Sequence, residues 1–146
     1  SDISASIGRE QLKKASYFLE KRKTIANFYL SRLGDLDFLK LPNLHKNHAW
    51  HLFMPRLVLE KLTITRDEFI EKLLLEGIGI SVHYIPLHIM PYYMDKYGYK
   101  ASDYPETMKA YNSVFSLPIY PDLTEEQLNR IVSAIIETGK NFRRKI

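Results

Sequence analysis

The sequence predicts an α/β (α+β) fold, a two-layer sandwich in which helices cover a small, mostly antiparallel sheet. Three observations lead there. Short apolar stretches of strand character interleave with helical periodicity, in the order helix, strand, helix, strand, irregular segment, strand, helix. Two capping boxes, Thr65 with Glu68 and Thr124 with Gln127, mark helix starts independently of hydropathy. A chain of 146 residues, 45% hydrophobic and 26% charged, suits one ordinary packed core.

The first element is a long helix from Ile3 to Leu33. Leu12, Ala15, Leu19, Ala26, Tyr29 and Leu33 recur at spacings that make one apolar stripe, with most of the charged residues off it. The helical pattern starts at once after Ser1, and Ile3, Ala5 and Ile7 look built to pack on further structure, so the chain reads as cut from something larger. Gly34 ends the helix. Ala49 to Leu59 reads as a strand with apolar residues on both faces, demoted to an edge or bulged strand by Pro55. The first capping box opens a helix whose buried face is Phe69, Ile70, Leu73 and Leu74, closed by Gly77. Ile78 to Ile85 is a short strand stopped by Pro86. Leu87 to Tyr104 is irregular, a short helix starts near Pro105, and Val114 to Leu117 is another short strand. The second capping box opens an amphipathic helix carrying Leu128, Ile131, Val132, Ile135 and Ile136.

Composition narrows the function classes. There are no cysteines, which excludes disulfides and thiolate metal sites. No apolar run approaches the ~18 residues of a membrane-spanning helix, and the expected location is the cytoplasm. Four positive charges of the +4 net charge lie in the last seven residues, so the remainder is neutral and the excess is a solvated basic tail rather than a nucleic-acid surface. His48 and His51 fall on opposite faces of a predicted strand, and His83 and His88 have no acid between them, so no metal site is expected. Gly77-Ile78-Gly79 runs from helix to strand, the reverse of a phosphate-binding turn.

The stretch from Ile78 to His88 is the most informative. His83 and Tyr84 stand where a strand stops at a proline, a rim position from which side chains reach a cleft; alternatively one points into the core and the other packs on a neighbour. Eight of the ten tyrosines lie between Tyr84 and Tyr120. They suit an interface or a ligand wall, and equally they suit a long loop that needs large side chains to anchor it.

Four segments together carry a resemblance. Ser1-Asp2-Ile3 through Ile7-Gly8 to Gln11-Leu12, His48-Ala49-Trp50-His51-Leu52-Phe53, Gly77-Ile78-Gly79 through His83-Tyr84-Ile85-Pro86-Leu87-His88, and Ser116-Leu117-Pro118-Ile119-Tyr120-Pro121 resemble the C-terminal portion of the DegT-type nucleotide-sugar aminotransferases, in that family's order and spacing. The resemblance implies the small domain of a fold-type-I enzyme over residues 1–139, with 1–33 an interdomain helix and 140–146 a basic tail. It implies a homodimer of polysaccharide biosynthesis that moves an amino group, usually from glutamate, to a nucleotide-diphosphate keto-sugar. Pyridoxal phosphate would sit on a lysine of the N-terminal domain, so no catalytic residue is expected in this chain, which should be inactive alone. His83 and Tyr84 match the family's pair at the mouth of the substrate cleft, and His88 is a further substrate-binding candidate on the same loop. A non-catalytic binding or assembly module that keeps the small-domain fold is the alternative.

Overall fold

The computed structural model describes residues 1–45 and 47–144. In chain order the elements are α1 (Asp2–Lys13), α2 (Ala15–Leu33), β1 (Leu39–Lys40), β2 (Arg56–Leu57), α3 (Arg66–Leu75), α4 (Pro91–Tyr97), α5 (Pro105–Ser113) and α6 (Glu125–Asn141), with 3₁₀ turns at Leu59–Lys61, Leu87–Ile89 and Ala101–Asp103.

Both capping boxes form. Thr65 Oγ1 accepts from the Glu68 N–H, while the Glu68 carboxylate accepts from the Thr65 N–H at 2.8 Å. Thr124 and Gln127 do the same at the start of α6. At the far end of α3, Gly77 adopts a left-handed φ of 75°. Its N–H and that of Ile78 then reach back to the carbonyls of Leu74 and Leu73, and buried Ile78 closes over buried Leu73.

The sheet is small and antiparallel. In β1 and β2, Leu39 lies opposite Leu57 and Lys40 opposite Arg56. Single antiparallel bridges continue it: Arg56 with Val114, Phe53 with Leu117, and Ser81 with Ser116. The extended segments therefore lie side by side in the order 39–40, 53–57, 114–117, 81. Helices α2 and α3 both pack on α6. The core between them and the sheet holds Tyr29, Leu33, Phe53, Phe69, Leu73, Phe115 and Ile135, all closed to solvent. Gly139 lets α6 approach it: a Cβ there would stand 2.0 Å from the Phe38 ring.

Several sequence expectations are corrected. The single helix from Ile3 to Leu33 is two helices that meet at Lys14, whose N–H bonds three residues back to Gln11. Burial divides them too, because α2 buries Ile25, Ala26, Tyr29 and Leu33 whereas α1 buries nothing and Leu12 is 76% exposed. Gly34 does end the helix, as its C-cap, and does so in a right-handed conformation. The stretch from Ala49 is not a strand: His48 Nδ1 accepts from the Trp50 N–H at 2.9 Å, Trp50 has a φ of 50°, and pairing begins at Phe53. His48 and His51 therefore do not lie on opposite faces of a strand. Pro55 has no N–H to give, yet its carbonyl still accepts from Phe115. From Ile78 to Ile85 only Ser81 pairs. Leu74 is half exposed rather than buried. The irregular segment contains α4, opened by Pro91 and closed by Gly98 at a φ of 69°.

Residues 140–144 are not a free tail either. The Thr63 N–H bonds to the Phe142 carbonyl and the Arg144 N–H to the Lys61 carbonyl, both at 2.8 Å, and Arg143 pairs with Asp37. The last two residues of the predicted tail lie outside the described residues.

Candidate functional site

The site begins with a serine that the sequence did not flag. Ser116 is buried, bridges to Ser81, and holds His83: its Oγ lies 2.8 Å from His83 Nδ1. The neighbouring Pro118 carbonyl accepts from the Tyr29 hydroxyl at 2.8 Å, which ties the strand to α2. Burial pushes the Tyr29 phenol above its ordinary range, with nearby Tyr120 adding to the effect.

On the other side, Arg66 is only 6% exposed and fixes the end of α5. Its Nη1 donates to the carbonyls of Tyr111 and Val114, and its guanidinium lies over the Tyr111 ring. Arg56 Nε donates to Ser113 Oγ. The Ser81–Ser116 bridge and the Arg66 clamp thus position both walls of one cleft.

The structure brings His83 and Tyr84 together at that cleft. Their peptide is cis, and the rings meet edge-on with centroids 4.8 Å apart. His83 is half-buried, whereas Tyr84 is 77% exposed. Both line an apolar cavity of about 270 Å³ with Met54, Arg56, Pro86 and Tyr111. With Nδ1 engaged by Ser116, the Nε2 of His83 is the nitrogen left for a ligand. Tyr84 offers a hydroxyl and a flat face, and Arg56 a cation in the lining.

His88 does not join them. It is 8% exposed, sits in the 3₁₀ turn, and packs against Tyr104 with ring centroids 4.7 Å apart. It lines a second cavity, of about 630 Å³, with four tyrosines. Tyr99 there is pushed above the usual phenol range, chiefly by Tyr104 beside it. Among the described residues no three His, Asp or Glu side chains converge in a way that could hold a metal ion.

Pyridoxal phosphate needs an amine that can form an imine, and burial is what frees such an amine at neutral pH. Every described lysine is exposed or half-exposed, so none of the described residues fits that role. No helix among the described residues is long and apolar enough to cross a membrane.

Residues 1–136 match the model of the DegT/DnrJ/EryC1/StrS aminotransferase family. An uncharacterised protein, MJ1066, of Methanocaldococcus jannaschii is 42% identical over 92% of the chain and 36% of its own length. The spore coat polysaccharide biosynthesis protein SpsC of Bacillus subtilis is 36% identical over 95% of the chain and 36% of its own. Among solved structures, NtdA of Bacillus subtilis, crystallised with bound cofactor PMP, is 32% identical. It superposes with a TM-score of 0.79 over 93% of this chain and 32% of that one. The chain spans about a third of the length of the curated relatives it matches.

Proposed function

The chain belongs to the DegT/DnrJ/EryC1/StrS aminotransferase family, and we propose that it forms the small domain of an enzyme that aminates a nucleotide-diphosphate keto-sugar. The amino group comes from an amino acid, glutamate, which leaves as its keto acid while the sugar carbonyl becomes an amine. The observation that carries the reading within this chain is the Ser116–His83–Tyr84 arrangement at the open cavity. His83 is held by Ser116 and presents its other nitrogen to a sugar hydroxyl or a phosphate oxygen, and Tyr84 covers the same ligand. These groups bind and orient; none is placed to take the substrate proton.

Pyridoxal phosphate and its lysine belong, in this reading, to a larger domain that packs on α1. That helix supports the idea because it has twelve residues, none buried, with Ile3 74% and Ile7 59% exposed. An isolated helix of this length is marginal in water, so α1 is stable only when its apolar side is covered. The enzyme acts as a homodimer in the cytoplasm, with the cleft closed by both domains.

The test is the visible absorption spectrum of the complete gene product with pyridoxal phosphate, beside that of residues 1–146 alone. A borohydride-reducible band in the former and none in the latter is expected. In the same protein, His83→Ala raises KM for the sugar nucleotide about tenfold, the loss of one hydrogen bond to a charged group, and leaves the cofactor band unchanged. No band in either would turn the reading toward a binding or assembly module. Unchanged kinetics for His83→Ala would remove His83 from the site.

A further inference from the structure

A further cavity, of about 520 Å³, is separated from the His83 cleft by α5. Thr107, Ala110 and Tyr111 of that helix line the His83 cavity, whereas Glu106, Lys109 and Asn112 line this one. The sheet supplies Lys40 of β1 and Arg56 of β2, and the 3₁₀ turn that follows β2 supplies Glu60.

Two observations set this cavity apart from an ordinary solvated groove. The first is the register of the sheet. Lys40 lies directly opposite Arg56 in the antiparallel pair, so two cations share one face of a two-residue ladder. Like charges placed that way destabilise the pair. The second is the missing counter-charge. None of Lys40, Arg56 and Lys109 forms an ion pair among the described residues, although two acids line the same cavity. Arg56 is half-buried and donates from Nε to Ser113 Oγ at 3.3 Å, while its Nη groups have no acceptor among the described residues. Ser113 is buried, and its own hydroxyl donates to the Lys109 carbonyl at 2.8 Å. The guanidinium is thus tied to the end of α5.

We propose that this cavity binds a sugar phosphate, its phosphate held by Lys40, Arg56 and Lys109 and its hydroxyls by Glu60, Glu106 and Asn112. A dianion between the opposed cations relieves their repulsion, and a guanidinium fork meets two phosphate oxygens at once. The two carboxylates would repel a bare anion, whereas a hydroxylated body gives them hydrogen-bond donors. The volume is that of a small-molecule site and leaves room for a hexose ring. Arg56 is the one described residue that lines both this cavity and the His83 cavity. The inference goes beyond the amino-transfer reading and stands whether or not that reading holds.

Isothermal titration calorimetry of the complete gene product at low ionic strength tests it. Glucose 1-phosphate and glucose 6-phosphate are the probes, with inorganic phosphate and glucose as controls. Saturable binding of at least one ester is expected, tighter than that of either control. Lys40→Gln and Lys109→Gln, both at exposed positions, should each weaken that ester about tenfold, the loss of one hydrogen bond to a charged group. Glu106→Ala should weaken the ester yet tighten inorganic phosphate, because it removes a hydroxyl acceptor and a repelling charge together. Near-ultraviolet circular dichroism checks that each variant folds. His83→Ala should leave ester binding unchanged, which separates this site from the amino-transfer cleft. No saturable binding, inorganic phosphate bound as tightly as the ester, binding insensitive to both lysine substitutions, or binding lost in His83→Ala would overturn the proposal. Lysine-dependent ester binding without amino transfer to any keto-sugar would support this cavity and sink the catalytic reading instead.

Discussion

Phe38, Phe53, Phe69 and Phe115 are closed to solvent, whereas Tyr92, Tyr97 and Tyr104 keep 59, 53 and 43% of their surface exposed. Yet the rings of the two groups approach one another equally closely, with centroids 5.8 Å apart for Phe69 and Phe115 and 5.6 Å for Tyr97 and Tyr99. The difference lies behind the rings. The phenylalanines are backed by Leu73, Ile135 and Leu33 from three helices, so each contact also removes apolar surface from water. The tyrosine rings from Tyr93 to Tyr104 contact one another and His88, and none of them belongs to the buried core. Ring contact alone does not make a core, and rings left half in water remain available to a ligand.

Substitution should separate the two regions most sharply. Phe69→Ala opens a cavity where three elements meet and should cost about 3–5 kcal/mol, read from urea unfolding. Tyr97→Ala should cost no more than about 0.5 kcal/mol, as surface changes usually do. Equal losses would mean that the tyrosine segment is part of the core, and would weaken the case for a ligand there.

The next effect probes how tightly the first region is packed. Gly139→Ala improves helix propensity, yet its Cβ meets the Phe38 ring. Overpacking of that kind should cost a net of about 1–3 kcal/mol. A stabilised variant would show that Phe38 has room to move.

Tyr29 is a tyrosine treated as core, and it bridges the comparison. Its ring is fully buried, while its hydroxyl donates to Pro118 beneath the site. Tyr29→Phe should cost about 1–2 kcal/mol, because the buried carbonyl loses its donor. The raised phenol pKa adds a pH signature. Below pH ~10, where the phenol is neutral in the unfolded chain as well, its contribution is fully present. It is lost as pH rises from there through the higher folded-state value. Alkaline unfolding should therefore be less steep in Tyr29→Phe than in the parent, and an unchanged slope would place the hydroxyl in water.

The helices of the core were legible because their signals are local. Thr65 with Glu68 and Thr124 with Gln127 name their own start points, and the spacing of Leu128, Ile131, Val132 and Ile135 names the buried face of α6. Pro91 and Gly98 bracket α4 with the same kind of signal, but the run of tyrosines between them shows no apolar face to confirm it. The strands were much less legible. Phe53, Arg56 and Ser81 pair with residues 114–117, far along the chain, and nothing in the local pattern names that partner. The site divides the same way. His83 and Tyr84 stood out by type and place, whereas Ser116 and Arg66 matter through contacts 33 and 45 to 48 residues away.

The smallest effect tests whether local signals carry stability as well as position. Thr65→Ala removes the hydroxyl that accepts from the Glu68 N–H and also donates to the Glu68 carboxylate at 2.8 Å, and should cost about 0.5–1 kcal/mol. The backbone N–H and the hydroxyl of Thr65, in that order, hold the Glu68 carboxyl below its ordinary range. A depressed carboxyl stabilises the fold above its unfolded value, and that contribution disappears as pH falls through the folded one. Without the hydroxyl the depression should shrink, so the variant should lose less stability than the parent on acidification below pH ~4. If both proteins lose the same amount, the Glu68 carboxylate contributes through the backbone N–H alone, and the box is a mark of where α3 starts more than a source of its stability.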